Sequence, residues 1–319
     1  MAMKKHISPD FIQKILISFN GEWVKYLKGA NAHFFEFRSG ETSYILRLTE
    51  KKHRSDKDII AEIDWINYLK NTGLNVCYAI PNVNESLLSK WEINEEYYYA
   101  VAFKKAEGKR LTFNDYPGGF EKQWGRTLAK MHQAAENYSP IDSRRSEWDS
   151  VILLDFVETQ LDDPNHEVIN QMKAANEVLK KLPKTTTNFG LIHSDLTPGN
   201  FMVSDDLEIC AYDFDDSQYA HFIYDFNVIL FMTLFHKHHQ QSTFSVSGFY
   251  QKFMTGYTEI RSMDQECLEA LPHFLTFFNG LVYVSLQRRK ITEDNQPLFN
   301  FVSKNLEKGF STDQYLEDI

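Results

Sequence analysis

The spacing of apolar residues changes several times along the first hundred positions. Residues 11–19 carry them at helical spacing behind Ser8 and Pro9, which suit the cap and the first turn of a helix. Three short β-prone runs follow, namely WVKYL, HFFEFR and SYILRL, with turn-forming residues between them. Residues 56–73 return to helical spacing and end in glycine, and YYYAVAF at 97–103 is again typical of a strand. This order predicts a small antiparallel sheet with one helix after its third strand.

Helical patterns dominate the chain beyond residue 105. They occur in FEKQWGRTLAKMHQAA, HEVINQMKAANEVLKKL, DFNVILFMTLF, SVSGFYQKFMTGY and residues 264–290. FMVSDDLEICAYDF interrupts them and indicates two short strands around a polar turn. We therefore predict an α+β fold of two lobes. Residues 1–105 form a lobe with a small antiparallel sheet, and residues 106–319 form a larger, mostly helical lobe that carries the hairpin.

The composition limits the classes of function and partner. With 319 residues, 43% of them hydrophobic and 14% aromatic, the chain is long enough to bury a large core. A formal charge of -10 and a pI near 5.6 argue against nucleic acid or an anionic membrane surface as a partner. The three cysteines form no CxxC pair, and the sequence has neither a signal-peptide core nor an apolar run of membrane-spanning length. We expect a soluble, cytoplasmic protein.

One stretch gathers carboxylate and amide side chains within two dozen positions. In HSDLTPGN, Asp195 precedes Asn200, and Asp213 follows after a hairpin-length spacer. A carboxylate can orient an attacking hydroxyl and accept its proton, which assigns Asp195 as the catalytic base. A carboxamide and a carboxylate supply hard oxygen ligands that hold Mg²⁺ against nucleotide phosphates, which assigns Asn200 and Asp213. The alternative is a chance occurrence of three polar residues.

Other polar residues in this region leave more than one interpretation open. His193 either fixes the loop through hydrogen bonds or carries a proton, and we favour the structural role. Asp215 and Asp216 are either further contacts for metal or substrate or ordinary solvated acids. Asp225, which opens an apolar helix, either caps that helix or holds the loop from beneath. We assign His193, Asp215 and Asp225 to the surroundings of the site rather than to its chemistry.

Together these motifs resemble the aminoglycoside phosphotransferase and choline kinase superfamily. LIHSDLTPGNFMV resembles its catalytic loop, AYDFDDSQYAHFIYDF its metal-binding segment and the helix after it, and WGRTLAKMH the helix before them. GANAHFFEFRSGETSYILRL extends the resemblance over nearly the whole chain. The likeness is to bacterial phosphotransferases of unassigned substrate and, more distantly, to homoserine and hydroxylysine kinases. It implies a bilobal protein-kinase-like fold, a small-molecule kinase activity, and Mg²⁺ with ATP or GTP as cofactors.

The resemblance also assigns residues to the nucleotide phosphates. Arg47 in YILRL stands where the family has a strand lysine that contacts them, and a guanidinium can make the same contact with two hydrogen bonds. Glu62 shares a helical face with Ile59 and Ile66. It therefore either orients Arg47 through an ion pair or is a partly exposed helix acid.

Two further segments match the nucleotide-binding region of the family. The Gly-rich phosphate loop is reduced to Gly29 in KGANAHF. Asn31 and His33 beside it either contact phosphates or belong to an ordinary hairpin turn. Phe103 to Lys105 match the hinge between the lobes, where backbone groups would contact the edge of the purine.

Two departures from the protein-kinase pattern indicate a small acceptor. Protein kinases carry Arg before the base and Lys two positions after it, where this chain has Ser194 and Thr197. The chain between Asp213 and Asp225 is also too short for an activation loop. The leading hypothesis is a Mg²⁺-dependent kinase acting on a hydroxyl of a small metabolite or aminoglycoside-like acceptor. The excess of acidic over basic residues favours a cationic acceptor. The alternatives are a nucleotide-binding regulatory protein with little turnover, indicated by the sparse glycine loop and Arg47, and a protein nucleotidyltransferase.

Overall fold

The structure of the protein is a computed structural model. It describes residues 7–27, 29, 32–112, 115, 118–148, 159, 166–240, 245–287 and 291–308. The chain forms two compact units, each made of several segments. Unit 1 comprises Met1–Gly108, Ser139–Arg145 and Cys210–Asp215, and unit 2 comprises Lys109–Tyr138, Ser146–Ile209 and Asp216–Ile319. The boundary at residue 105 that the sequence indicates lies near the end of the first segment, and the division into two domains stays a prediction.

Unit 1 is built on an antiparallel sheet. Its strands are β1 (Glu22–Leu27), β2 (His33–Ser39), β3 (Thr42–Glu50), β4 (Ala79–Ile80), β5 (Ser89–Ile93) and β6 (Glu96–Lys104). They are arranged in the order β1-β2-β3-β6-β4, and β5 pairs with β6. β1, β2, β3 and β6 correspond to the four β-prone runs of the sequence. β4 and β5 were not predicted, because strands of two and five residues carry too little pattern.

Unit 1 also contains the two helices that the sequence predicts. α1 spans Pro9–Ile17, and the Ser8 hydroxyl accepts a hydrogen bond of 3.2 Å from the backbone of Phe11. α2 spans Asp56–Asn71, and Ser55 and Asp58 cap it reciprocally. Gly73 follows α2 with a φ of 90°, a left-handed conformation that glycine adopts without strain. Local cap chemistry therefore sets the start of both helices and, through Gly73, the end of α2.

The sheet of unit 1 has two different faces, because successive strand residues point to opposite sides. One face packs against α1 in a buried apolar cluster. The cluster includes Ile12, Ile15, Leu16, Phe35, Phe37, Leu46, Leu48, Ala100 and Ala102. The alternate residues occupy the other face, where cross-strand pairing places Arg47 between Phe34 on β2 and Val101 on β6. Arg47 therefore lies on the face that α1 does not cover.

Unit 2 is mostly helical. Its helices are α3 (Glu121–Ala135), α4 (Glu167–Leu179), α5 (Ile223–Gln240), α6 (Val246–Thr258), α7 (Gln265–Glu269), α8 (Leu271–Gln287) and α9 (Gln296–Lys308). β7 (Phe189–Ile192) pairs with β10 (Gln218–His221), and β8 (Phe201–Val203) pairs with β9 (Ile209–Ala211). The segment Cys210–Asp215 of unit 1 begins inside β9. None of the helices in the described ranges combines the length and apolar character needed to cross a membrane.

α3 and α6 pack closely because glycines lie at their contact. A Cβ on Gly125 would overlap the carbonyl oxygen of Phe253, and one on Gly256 would overlap that of Lys122. The Trp124 ring lies beside Gly125 and packs against Phe253, with 5.9 Å between ring centroids. This close approach joins the first turns of α3 to the last two turns of α6.

Candidate active site

The predicted catalytic loop follows β7, and Asp225 holds its backbone. Asp225 lies in the first turn of α5 and is buried. Its Oδ2 accepts a hydrogen bond of 3.1 Å from the His193 N–H, and its Oδ1 accepts one of 2.6 Å from the Ser194 N–H. Ser194 has a φ of 70°, a conformation that a non-glycine residue adopts only with support. Of the two interpretations of Asp225, the structure shows the one in which it holds the loop.

The side chain of Asp195 is oriented by residues of its own loop. Asn200 Nδ2 donates to the Asp195 carbonyl oxygen at 2.9 Å and to Asp195 Oδ2 at 2.6 Å. Thr197 Oγ1 donates to Asp195 Oδ1 at 3.3 Å. Both partners of the Asn200 nitrogen are acceptors, which fixes the orientation of its amide. The Asn200 side-chain oxygen therefore faces away from Asp195 and remains available to a ligand.

Distant residues of unit 2 fix the remainder of this loop. Trp124 Nε1 donates to the carbonyl oxygen of Leu196 at 3.0 Å, and Arg110 Nη2 donates to that of Gly199 at 3.2 Å. Within the loop, the Asp195 N–H donates to His193 Nδ1 at 3.3 Å, which fits the favoured structural role of His193. Sequence reasoning missed Trp124 and Arg110, since they are separated from their partners by 72 and 89 positions.

A buried histidine lies beneath Asp225. His132 on α3 contacts Asp225 Oδ2 through Nε2 at 3.1 Å and the Tyr257 hydroxyl through Nδ1 at 2.9 Å. Burial lowers the pKa of His132, and the carboxylate of Asp225 opposes this shift without reversing it. His132 is therefore neutral at physiological pH in the folded protein. This role was not predictable from the sequence, because a histidine at helical spacing looks like an ordinary core residue.

We expect this histidine to make stability depend on pH. Its folded-state pKa lies below the ordinary value of 6.5, so the unfolded chain binds the proton first as the pH falls. The stabilisation by neutral His132 is complete above pH 6.5 and is lost as the pH falls towards the folded-state pKa. The measurement is urea unfolding of the wild type and His132→Gln between about pH 8 and about pH 5. The stability difference between them should shrink in acid, and a constant difference would contradict the expectation.

In unit 1, Arg47 and Glu62 form a buried ion pair. Arg47 Nη1 and Nη2 donate to the two carboxylate oxygens of Glu62 at 2.8 and 2.5 Å, and the side chains are 3% and 1% exposed. Burial lowers the pKa of Arg47, but the charge and hydrogen bonds of Glu62 raise it by more, so the net shift is upward. Of the two interpretations of Glu62, the structure shows the ion pair. The phosphate contact of Arg47 stays a prediction.

The other predicted nucleotide residues of unit 1 lie around the same sheet face. Phe103 on β6 lies 5.0 Å from Arg47, measured from the guanidinium carbon to the ring centroid. Lys105, just past β6, donates to Glu36 on β2 at 2.8 Å, and this hydrogen bond lowers the pKa of the Glu36 carboxyl. A Cβ on Gly29 would overlap the carbonyl oxygen of Ala32, so no larger residue fits there unless the backbone moves.

Asn31 and His33 are the remaining residues for which the sequence leaves a phosphate contact open. Asn31 lies outside the described residues. His33 begins β2 and is buried, with Nδ1 3.4 Å from the Tyr26 hydroxyl. Its position in the sheet agrees with the ordinary hairpin interpretation rather than with a phosphate contact.

In the segment after β9, Asp213 is exposed to solvent, whereas Asp215 makes an ion pair and a hydrogen bond with other residues of unit 1. Asp213 is exposed and has a φ of 64°, whereas Phe214 beside it is fully buried. The Asp215 carboxylate pairs with Arg54, whose Nε lies 3.1 Å from Oδ2, and its carbonyl oxygen accepts a hydrogen bond from Arg145. Burial raises the pKa of Asp215, but the charges of Arg47 and Arg54 outweigh it and the net shift is downward. Asp215 is therefore not an ordinary solvated acid.

The predicted residues fall into two groups. Unit 1 contains Gly29, Arg47, Glu62, Phe103, Lys105, Asp213 and Asp215, and unit 2 contains His193, Asp195, Asn200 and Asp225. Within the described ranges, no group of three or more His, Cys, Asp or Glu side chains is placed to hold a metal ion. The fit to Mg²⁺ rests instead on single oxygen donors, and this ion commonly keeps water and phosphate oxygens as its remaining ligands.

A comparison with known families matches most of the chain to one of them. Residues 22–260, which include every predicted site residue, match the model of the phosphotransferase enzyme family. The chain belongs to this family. As a phosphotransferase it is an enzyme, and the kinase activity class that the sequence predicts is confirmed.

Individual relatives of this phosphotransferase act on small molecules. It is 27% identical over 301 residues to an amicoumacin kinase of Bacillus subtilis (strain 168), covering 91% of this chain and 89% of that protein. A solved amicoumacin kinase in complex with AMP-PNP, Ca²⁺ and Ami superposes with a TM-score of 0.85 at 25% identity, covering 95% and 94% of the two chains. The phosphotransferase is therefore a small-molecule kinase by family.

More distant structures support the fold alone. A microcompartment-associated aminopropanol kinase has a TM-score of 0.75 at 18% identity, covering 97% of this chain and 99% of its own. A spectinomycin phosphotransferase has a TM-score of 0.65 at 18% identity, covering 98% and 100%. The α+β, protein-kinase-like fold predicted for the phosphotransferase from its sequence is thus confirmed.

Proposed function

We propose that this phosphotransferase moves the γ-phosphoryl group of a nucleoside triphosphate, in the presence of Mg²⁺, to a hydroxyl of a small, amine-bearing molecule. The main support is the geometry of Asp195. Its carboxylate is half-buried, and the Asn200 amide and the Thr197 hydroxyl fix it by one hydrogen bond to each oxygen. A fixed and partly accessible carboxylate is what the positioning of an acceptor hydroxyl requires.

Asp195 acts as the base in this reaction. It accepts the proton of the acceptor hydroxyl while the hydroxyl oxygen bonds to the γ-phosphorus and the bond to the bridging oxygen of the nucleotide breaks. Asp225 holds the two residues that precede Asp195, so the carboxylate needs no rearrangement during the reaction. The hydrogen bonds from Asn200 and Thr197 keep the carboxylate in one rotamer.

Asn200 and Asp213 are the residues we assign to Mg²⁺. The amide of Asn200 gives its nitrogen to Asp195 and keeps its oxygen for the ion, and the carboxylate of Asp213 is exposed. Both are hard oxygen donors of the kind that Mg²⁺ prefers. When bound, the ion neutralises charge on the phosphate oxygens.

Replacing Asp213 by Asn should remove most of the Mg²⁺-dependent nucleotide binding while leaving the fold intact. The exposed carboxylate contributes little packing, so the melting temperature should stay within about 2 °C of the wild type. Isothermal titration of nucleotide with and without Mg²⁺ measures the effect. Asp205→Asn is the matched control, since Asp205 is an exposed acid in the turn before β9. Equal Mg²⁺ dependence in the two variants would rule out Asp213 as a ligand.

The nucleotide phosphates are assigned to Arg47. Glu62 occupies both terminal nitrogens of its guanidinium, but within the described residues no acceptor lies within hydrogen-bond distance of the buried Arg47 Nε. A buried donor without an acceptor is costly, and a bound phosphate oxygen would satisfy it. This supports a nucleotide on the sheet face that α1 does not cover.

One observation supports a cationic, amine-bearing acceptor, and a second indicates which small molecules to test. The formal charge of -10 favours a cationic partner over an anionic one. The relatives with the highest identity cited above are amicoumacin kinases, and they match this chain over nearly its full length. Amicoumacin and amino alcohols are therefore the first acceptors to test.

A nucleotide-consumption screen tests the proposed function. The enzyme is assayed with ATP or GTP and Mg²⁺ against amicoumacin, amino alcohols, hydroxy amino acids, sugars and aminoglycosides. We expect consumption that depends on one acceptor class. Nucleotide binding without consumption across the whole panel would contradict the proposal.

A further inference from the structure

A continuous chain of buried and partly buried hydrogen bonds runs from Arg261, just after α6, to the catalytic loop. Arg261 Nη1 donates to the Tyr257 hydroxyl at 2.7 Å, and the Tyr257 hydroxyl contacts His132 Nδ1 at 2.9 Å. His132 Nε2 contacts Asp225 Oδ2 at 3.1 Å, and Asp225 accepts the N–H groups of the two residues before Asp195. All of these residues lie in unit 2.

Only one arrangement of protons satisfies every contact in this chain. Arg261 can only donate, so the Tyr257 oxygen accepts from it and the Tyr257 proton points to His132 Nδ1. His132 then carries its proton on Nε2 and donates it to Asp225. A second proton on Nδ1 would face the Tyr257 oxygen and leave the Tyr257 proton without an acceptor. The chain therefore has one direction, from Arg261 to Asp225.

Packing keeps the imidazole ring in this geometry. The ring of His132 stacks on Phe222, with 4.5 Å between centroids and an interplanar angle of 13°. The guanidinium carbon of Arg261 lies 4.6 Å from the centroid of the Phe222 ring. Arg261 also donates hydrogen bonds to Glu136 and to the carbonyl oxygen of Thr187. His132 cannot rotate away from Asp225 without losing the stack as well as two hydrogen bonds.

We propose that His132 and Tyr257 are positioning residues for phosphoryl transfer, which act through Asp225 to fix the backbone on which Asp195 is carried. Neither residue touches a reacting atom. His132 donates to Asp225 Oδ2, the same oxygen that holds the His193 N–H, so the loss of this donor frees the carboxylate to rotate. Ser194 then loses support for its left-handed conformation, and Asp195 moves with it. The kinetic part of this inference rests on the proposed function, whereas the structural part does not.

This role predicts an effect on turnover rather than on nucleotide affinity. Misplacing a base reduces kcat because the lost interaction belongs to the transition state. His132→Leu removes the donor and should lower kcat by about tenfold to a hundredfold. Tyr257→Phe removes the hydroxyl that bonds to His132, one step further from Asp225, and should lower kcat by about threefold to tenfold. The KM for nucleotide should stay within about twofold in both variants.

Two comparisons separate positioning from packing. His132→Gln retains an N–H for Asp225 and should recover most of the kcat lost in His132→Leu. Tyr250→Phe is the matched control for Tyr257→Phe, since Tyr250 is a buried tyrosine on the same helix. It should leave kcat unchanged. A His132→Gln enzyme as slow as His132→Leu, or a Tyr250→Phe enzyme as slow as Tyr257→Phe, would overturn the inference.

Hydrogen exchange of the loop gives a readout that needs no turnover. Peptides that contain residues 193 and 194 should exchange faster in His132→Leu and Tyr257→Phe than in the wild type, while His132→Gln should resemble the wild type. Unchanged exchange in folded His132→Leu and Tyr257→Phe would overturn the inference, even if kcat fell. Absence of turnover in the wild type with every acceptor would contradict the proposed function alone. The exchange data would then decide whether His132 and Tyr257 hold the loop. Tyr257→Phe keeps the test available if His132→Leu does not fold.

Discussion

Asp195→Asn should lower kcat by about 10²-fold to 10⁴-fold, the range that general-base catalysis contributes. The substitution keeps the shape of the side chain but removes its ability to accept the hydroxyl proton. It also places an amide opposite Asn200 Nδ2, where the native carboxylate accepts a hydrogen bond of 2.6 Å. The asparagine can offer its oxygen to Asn200, so the fold should survive. Nucleotide affinity should change little, because Asp195 is assigned to the acceptor.

Steady-state kinetics with saturating nucleotide and acceptor measure this effect, and thermal unfolding checks the fold. Asp206→Asn is the matched control, since Asp206 is an exposed acid in the same hairpin as β8 and β9. Its kcat should equal that of the wild type. A folded Asp195→Asn enzyme with a kcat within about threefold of the wild type would show that another group takes the proton.

Arg47→Met should destabilise the protein by about 3–5 kcal/mol, the usual cost of removing one partner of a buried ion pair. It leaves the Glu62 carboxylate, which is 1% exposed, without its bidentate partner. It should also weaken nucleotide binding, because the guanidinium is assigned to the phosphates. Urea unfolding gives the first quantity and nucleotide titration the second.

A double variant separates the two effects. Arg47→Met combined with Glu62→Met replaces the buried pair by apolar side chains, so most of the lost stability should return while nucleotide affinity stays low. Arg126→Met is the control for an exposed pair, since Arg126 and Glu259 are 37% and 36% exposed, and it should cost less than about 1 kcal/mol. Wild-type nucleotide affinity in the double variant would contradict the assignment of Arg47.

The fold was predictable wherever apolar spacing was strong over many residues. α1, α2, α3 and the strands β1 to β3 follow their sequence patterns, and side-chain caps mark the starts of α1 and α2. β4 has two residues and β7 has four, and neither carries a pattern of its own. β7 pairs with β10, a run of four residues that follows the acidic segment, so tertiary pairing rather than local propensity makes both of them strands.

The sequence points to the residues that we assign to chemistry, but it does not point to the residues that hold them in place. Asp195 and Asn200 are neighbours in sequence and form a hydrogen bond in the structure. His132 and Tyr257 are separated by 125 positions, and nothing in the surrounding sequence links them. Arg145 likewise reaches Asp215 across 70 positions. Such contacts are fixed by packing of whole helices and loops, which no local pattern encodes.

Transfer of labelled phosphate is the decisive measurement. The enzyme is incubated with Mg²⁺ and nucleotide that carries ¹⁸O on the γ-phosphorus, together with the acceptor found in the screen, and the products are identified by mass spectrometry. We expect the acceptor to gain one phosphoryl group that carries the label, with nucleoside diphosphate as the other product and no product from Asp195→Asn. Nucleoside monophosphate attached to protein, or labelled inorganic phosphate alone with the acceptor unchanged, would contradict kinase activity towards a small hydroxyl acceptor.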